Sequence, residues 1–422
     1  MSFFEVDARL QALSDKALAN VQDMFANIEA VTEYNQQKVL SAFIRHKVSE
    51  SHFAATTGYG YGDRGRDVLE EVFADIMGAE DALVRHSILC GTHAITLSLF
   101  GVLRPGDTLL AVTGTPYDTL IGVIGADKPS SGSLTEYGVG YREVALIDGK
   151  PDLNGIITAL REDPSIRMVH IQRSRGYDLR PSLSVADIEE IVKTVRSVRE
   201  DVIIFTDNCY GEFVEKCEPT AVGVDLMAGS LIKNPGGGIA ENGGYICGRR
   251  DLVEQCSYRM TTPGLGREVG ASLGHNRTLF MGLFHAPHVV GEALKTAVYA
   301  ASLFELLGYT CSPSSQEKRA DIIQAIRLEN AEALIAFCKG IQSGAPVDAF
   351  VTPEPWDMPG YDNQVIMAAG AFTLGSSIEL SADAPLRDPF AVYMQGGLNF
   401  HSGKIGILLA AQKMLHNNLL HI

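Results

Sequence analysis

The chain has 422 residues, 46% hydrophobic and 20% charged, which is enough apolar material for a large core and predicts two or three domains. Its 35 Lys and Arg against 51 Asp and Glu leave a net charge of −16, which argues against nucleic acid or an anionic membrane as the main partner and predicts an acidic protein that binds small molecules. No apolar run reaches the roughly 20 residues that span a bilayer, the N-terminus lacks a signal-peptide core, and seven scattered cysteines form no Cys-x-x-Cys pair, so reduced thiols in the cytosol are expected.

In chain order, residues 1–50 read as two helices forming an N-terminal arm, with apolar spacing such as Leu10, Leu13, Ala17 and then Val39, Phe43. Residues 51–285 alternate short β-rich runs with helical patterns, the mark of parallel βαβ units in a large domain. Strands are expected at DALVRH, DTLLAVTG, RMVHIQR and DVIIFTD, and helices at RDVLEEVFADIMG, THAITLSLFGVL and VADIEEIVKTVRSVRE, the last capped by Ser184. The run VIIF is apolar throughout, as a strand covered on both faces must be. Residues 286–422 read as a small C-terminal domain: a long connecting helix from Pro287 to Leu307, then DIIQAIRL, QVIMAAG and SSIELS in an α+β arrangement, closed by a helix from about Lys404.

The strand ending in Asp207 matters most, because ligands of open α/β sheets bind beyond the carboxyl ends of the strands. A second apolar run follows, VDLMAGSLI, and then Lys233 in SLIKNPGGG. A carboxylate that keeps a pyridine nitrogen protonated and a lysine that can hold an aldehyde as an imine are the two groups that pyridoxal 5'-phosphate chemistry requires. The glycines after Lys233 let backbone approach the cofactor closely. Gly91, Thr92 and His93 open a helix and offer backbone N–H groups and a hydroxyl to a phosphate, and Ser230 adds a second hydroxyl. Tyr117, just past a strand, is placed to stack on the ring. His285 and His288 lack a third ligand nearby, so no metal site is expected.

The segments GAEDALV, CGTHA, RPGDTLL, TDNCYGEF and the Ser230-x-x-Lys233 pair resemble fold-type I pyridoxal phosphate enzymes. TTGYGYGDRGRD, PHVVGEALK, VTPEPWDMPGY, GSSIELSADAP and QGGLNFHSGKIGILLA resemble, almost end to end, the methionine-γ-lyase-like branch of the cystathionine-lyase class, the branch labelled aluminium-resistance proteins. The resemblance implies a large, mixed, mostly parallel sheet with helices on both faces, a smaller α+β domain, and a homo-oligomer in which pairs of subunits share active sites, a dimer or a tetramer. It implies that Tyr59 or Tyr61, with Arg64 or Arg66, reaches the neighbouring subunit's phosphate. It places a substrate-carboxylate clamp in the small domain, where Arg387 is the candidate and Arg175 the competitor. The chain departs from the class at Ile232, where a hydroxyl residue is usual, and at Gln172–Tyr177, which replaces a proline- and asparagine-rich loop. Ser174 and Arg175 are therefore the candidates for the ring oxygen.

The expected activity is a carbon–sulfur lyase: β- or γ-elimination from a sulfur amino acid to thiol, 2-oxo acid and ammonia, with Lys233, Tyr117 and Asp207 as catalytic residues. The alternatives are an aldolase or aminotransferase using the same cofactor, and a non-enzymatic metal- or partner-binding resistance protein.

Overall fold

Residues 3–128, 130–358 and 363–422 are described in the computed structural model. They fall into two compact units: a larger one, Asn35–Gly176 with Arg180–His285, and a smaller one formed by the residues up to Tyr34, Tyr177–Leu179 and Ala286–Ile422. The residues expected to form a separate arm, 1–50, are thus divided between the units. Leu10 and Ala17 of helix Ala8–Asn20 are buried in the core of the smaller unit.

The larger unit is built on seven strands: β1 (Asp81–Arg85), β2 (Thr108–Ala111), β3 (Gly140–Glu143), β4 (Ile166–Gln172), β5 (Ile203–Asp207), β6 (Leu226–Ser230) and β7 (Gly244–Gly248). Their order is β1-β7-β6-β5-β4-β2-β3. All neighbours from β3 to β6 pair in parallel, and β7 lies antiparallel between β6 and β1. Successive side chains of a strand point to opposite faces, and every residue of β5, β6 and β7 is buried, so this part of the sheet is covered on both sides. Leu97 and Leu99 of helix Gly91–Val102, and Leu252, Val253 and Cys256 of helix Arg250–Met260, share one core with Leu109, Met168, Phe205 and Ile246 of the strands.

Helix ends are set by side chains. Asp63 opens helix Arg64–Met77 by accepting from the Arg66 N–H at 3.0 Å, and Gly78, at φ 64°, ends it in the left-handed conformation. Ser184 and Asp187 form a reciprocal capping box on helix Val185–Val198, with bonds of 3.1 and 2.8 Å.

The smaller unit carries an antiparallel sheet of β8 (Thr310–Ser312), β9 (Gln324–Arg327), β10 (Val365–Ala369), β11 (Ser381–Pro385) and β12 (Ala391–Gln395), in the order β10-β11-β12-β9-β8. Helices Ala331–Ser343 and Phe400–His416 pack on it through Phe337, Ile341, Ile407 and Ala411. Three expectations change here. The long helix runs Asn276–Leu306, straight through Pro287 rather than starting at it, because Ala286, Val289, Val290 and Ala293 bury the stripe around the proline. The C-terminal helix starts at Phe400, where Asn399 accepts from the Ser402 N–H at 2.9 Å. SSIELS is not a strand before Ser381: buried Glu379 takes the Phe372 and Thr373 N–H groups on its carboxylate at 2.8 and 2.9 Å, and the chain bends around it. The last three residues of VTPEPWDMPGY lie outside the described residues. No described helix is long and apolar enough to cross a membrane.

The capping box is the clearest local contribution to fold stability that stands apart from the site. Ser184→Ala is expected to cost about 1 kcal/mol in denaturant unfolding, leaving cofactor binding unchanged.

Candidate active site

The C-terminal ends of β2, β4, β5 and β6 and the N-terminus of helix Gly91–Val102, all in the larger unit, carry Tyr117, Ser174, Asp207, Ser230, Lys233, Gly91, Thr92 and His93. Asp207, the last residue of β5, is 9% exposed and accepts the Cys209 N–H on Oδ1 at 3.1 Å, which fixes its carboxylate at the strand end. Three residues beyond β6, Lys233 is partly buried, with Nζ 4.0 Å from the centre of the Tyr210 ring. Burial works against its charge, but Cys209, Tyr210, Asp207 and Glu212 outweigh that effect and hold the ammonium above its ordinary value. Asn234, fully buried, bonds the Tyr210 carbonyl at 3.0 Å and the Glu212 carbonyl at 2.9 Å, so the lysine's own neighbour ties the lysine loop to the segment that follows Asp207.

Gly91 lies so near Ser230 and Cys209 that a Cβ would sit 3.1 Å from the Cys209 sulfur and 3.4 Å from the Ser230 Cβ. The N-cap residue Cys90 offers the helix no side-chain bond, so the first-turn N–H groups, beside the buried Ser230, are not capped. Thr92 pairs its hydroxyl with that of Thr119 at 3.1 Å. His93 is turned back along its own chain, where Nδ1 accepts the Leu89 N–H at 3.1 Å, and burial lowers its proton affinity.

Tyr117 and Ser174 are joined by a residue the sequence reading had not singled out as a ligand. Gln172, paired with Asp207 in the β4–β5 register, accepts the Tyr117 N–H at 2.8 Å and donates to the Ser174 carbonyl at 3.0 Å. The Tyr117 ring runs beside Gly176, where a Cβ would meet its Cδ2 at 3.2 Å. Arg175 is buried, with its N–H on the Ser182 hydroxyl at 3.1 Å. Arg387 lies in the smaller unit, exposed, with Nη2 3.4 Å from the Tyr177 carbonyl.

The glycine-rich turn separates the two arginines implied by resemblance. Arg66 is buried, and its Nη1 bonds the carbonyls of Gly60 and Gly270, both at 3.0 Å, so its guanidinium pins this turn within its own chain. Arg64 is exposed, as are Tyr59 and Tyr61, which stack on each other at 5.4 Å. Among the described residues no group of three or more His, Cys, Asp or Glu could hold a metal, and His285 and His288 are exposed on their helix.

Further residues that sequence reasoning missed complete the surroundings. Asn35 donates to the Phe213 and Glu215 carbonyls, both at 3.0 Å. Arg173, fully buried, bonds Asn208 at 2.8 Å, Glu215 at 2.8 Å and Glu218 at 3.3 Å. His170 is buried, with no hydrogen-bond partner on either ring nitrogen among the described residues; burial pushes it down to about 4, with Asp207 opposing, so its ring is neutral. The only available signals were polar residues inside apolar runs: His170 in RMVHIQ and Asn234 after the lysine.

A strand-end carboxylate, an amine held among acids, an aromatic ring against that amine, and uncapped helix N–H groups beside a buried hydroxyl form the donor set that a phosphorylated pyridine aldehyde needs. The comparisons agree. The methionine gamma-lyase family profile matches residues 10–415. The uncharacterized protein YnbB of Bacillus subtilis (strain 168) is 49% identical over 404 residues, covering 95% of this chain and 96% of that one. A crystal structure from Clostridium acetobutylicum, of a protein assigned as a cystathionine beta-lyase involved in aluminum resistance, is 52% identical with a TM-score of 0.95, covering 97% of this chain and 96% of that one. One from Clostridium novyi NT, described as a carbon-sulfur lyase involved in aluminum resistance, is 51% identical with a TM-score of 0.94 and the same coverage, 97% and 96%. The fold, the donor set and a family match over nearly the whole chain lead to one conclusion: this chain belongs to the methionine gamma-lyase family, fold-type I enzymes whose cofactor is pyridoxal 5'-phosphate.

Proposed function

We propose that this protein eliminates a thiol from a sulfur-containing amino acid, taking up water and releasing a 2-oxo acid and ammonia. The observation that carries the reading is the meeting of Lys233 and Asp207 at adjacent strand ends, with the Tyr210 ring against the lysine. The carbon–sulfur lyase description of a relative 51% identical supports it. Pyridoxal 5'-phosphate, when bound, supplies an electron sink for the substrate's α-carbon.

In this reading Asp207 holds the ring nitrogen's proton, Lys233 is the attachment point, and the N–H groups of Gly91, Thr92 and His93 with the Thr92 and Ser230 hydroxyls hold the phosphate. Tyr117 would cover the ring, and Ser174 or Arg175 would face its oxygen. Lys233 Nζ, in its neutral form, takes the proton from the substrate's α-carbon. Either Arg387 or Arg175 clamps the substrate carboxylate. Arg64, with Tyr59 or Tyr61, serves the neighbouring subunit, since Arg66 is engaged within its own turn. The working form is then at least a dimer, which mass in solution checks. The seven free cysteines suit the cytosol.

Two outcomes test the chemistry. Incubation with cystathionine, cystine or methionine should release thiol and 2-oxo acid in equal amounts, and Lys233→Ala should abolish the absorption band of the lysine-bound cofactor and lower turnover by about a thousandfold or more. Acetaldehyde and glycine from threonine, with no thiol from any sulfur substrate, would mean aldol cleavage instead. The lysine loop is also set by close backbone packing: a Cβ on Gly236 would stand 1.7 Å from the Leu231 carbonyl oxygen. Gly236→Ala should therefore fold, by circular dichroism, yet bind the cofactor at least about tenfold more weakly in a spectral titration.

A further inference from the structure

One of the acids whose charge favours the Lys233 ammonium lies behind the lysine loop and has no other part in the chemistry above. Glu212 is fully buried; Oε1 accepts from the Tyr245 hydroxyl at 2.7 Å, and Oε2 has no hydrogen-bond partner among the described residues. Its seat is built. Asn234, next to Lys233, holds the Glu212 carbonyl at 2.9 Å. A Cβ on Gly229 of β6 would meet Glu212 Oε1 at 2.6 Å and the Tyr245 hydroxyl at 2.8 Å, so the pair fits beneath the strand only because residue 229 has no side chain. Beyond Tyr245 the polar chain continues through Asn208 Nδ2 at 3.5 Å to Glu218 at 3.1 Å.

We propose that Glu212 is a positioning residue for Lys233: a buried acid whose ionisation under the lysine loop tightens the hold of the lysine nitrogen on its proton. The inference deepens the lyase reading and rests on Lys233 being the cofactor lysine. A buried carboxyl with one bonded and one bare oxygen favours its neutral form. Burial pushes Glu212 up to about 8, the Tyr245 bond opposes, and Glu218 and Lys233 act in opposite directions. The titratable and charged groups around it are Lys233, Asp207, Cys209, Tyr210, Glu218, Tyr245 and Cys247, with Arg173 beyond Asn208. Burial holds Cys209, Cys247 and Tyr245 well above their ordinary values, so of these four it is Glu212 that changes charge between neutral and mildly alkaline pH. A new negative charge stabilises a nearby cation, and two groups so linked titrate as a pair rather than singly.

Glu212→Gln keeps the acceptor for Tyr245 and removes the titration. In the apoprotein, infrared difference spectra at pH 7 should show a protonated-carboxyl band that fades through about pH 8 and is missing in the variant. In the cofactor-loaded protein, the pH titration of the lysine-bound cofactor's absorption should be broader than a one-proton curve in the natural chain. In the variant it should narrow to one proton, with a midpoint about one unit lower. No carboxyl band at pH 7, or superimposable absorption curves, overturns the proposal and leaves the lyase reading intact. A natural chain that forms no lysine-bound band with added cofactor sinks both. Should Glu212→Gln not fold, Tyr245→Phe takes its place: it removes the bond that favours ionised Glu212, so its curve must narrow and shift in the same direction, and an unchanged curve overturns the proposal.

Discussion

A lysine ammonium taken partly out of water keeps its charge only if nearby acids replace the lost solvation, and those acids must be held in place or the arrangement collapses. In this protein the acids come from the last residue of β5 and the short segment after it, and the lysine comes from the loop after β6. Adjacent parallel strands bring the two together: Asp207 pairs with Ala228 in the β5–β6 register, and the lysine follows five residues later on the same side of the sheet end.

The support is mostly amide and guanidinium. Asn234 fastens the lysine loop to the Tyr210 and Glu212 carbonyls, Asn35 fastens the same segment three residues further on, and buried Arg173 bonds Asn208, buried Glu218 and partly exposed Glu215. Each of these side chains satisfies carbonyls or carboxylates in a stretch with no regular secondary structure of its own, where unpaired groups would be costly. The irregular backbone between Asp207 and Glu218 is thereby tied at several points by side chains from other elements. A site built this way can keep an uncommon charge arrangement because its frame does not depend on the cofactor alone.

Much of the fold could be read in advance because its signals are local. Alternation of β-rich and helical runs predicts the parallel sheet, VIIF announces a strand covered on both faces, and Ser184 marks a helix start. The misses share a cause. SADAP carries little β preference yet forms β11, because its neighbours β10 and β12 supply the pairing. Pro287 looked like a helix boundary and is instead carried inside a helix by burial on either side of it. Tertiary packing outweighs local preference at both positions.

For the candidate site, residue types and order alone mark Asp207 and Lys233 as candidates, since a carboxylate at a strand end and a lysine before glycines and proline are patterns within a few residues of sequence. They could not show that Arg66 is spent on Gly60 and Gly270 while Arg64 is exposed, that His93 bonds back to Leu89, or that Gln172 joins Tyr117 to Ser174. Nor could they show Glu212 and Tyr245 facing each other, because residues 33 apart in the chain meet only when β7 pairs antiparallel with β6. What a residue can do chemically is written in its side chain; which neighbour uses up its hydrogen bonds, and whether water reaches it, is decided by the folded chain.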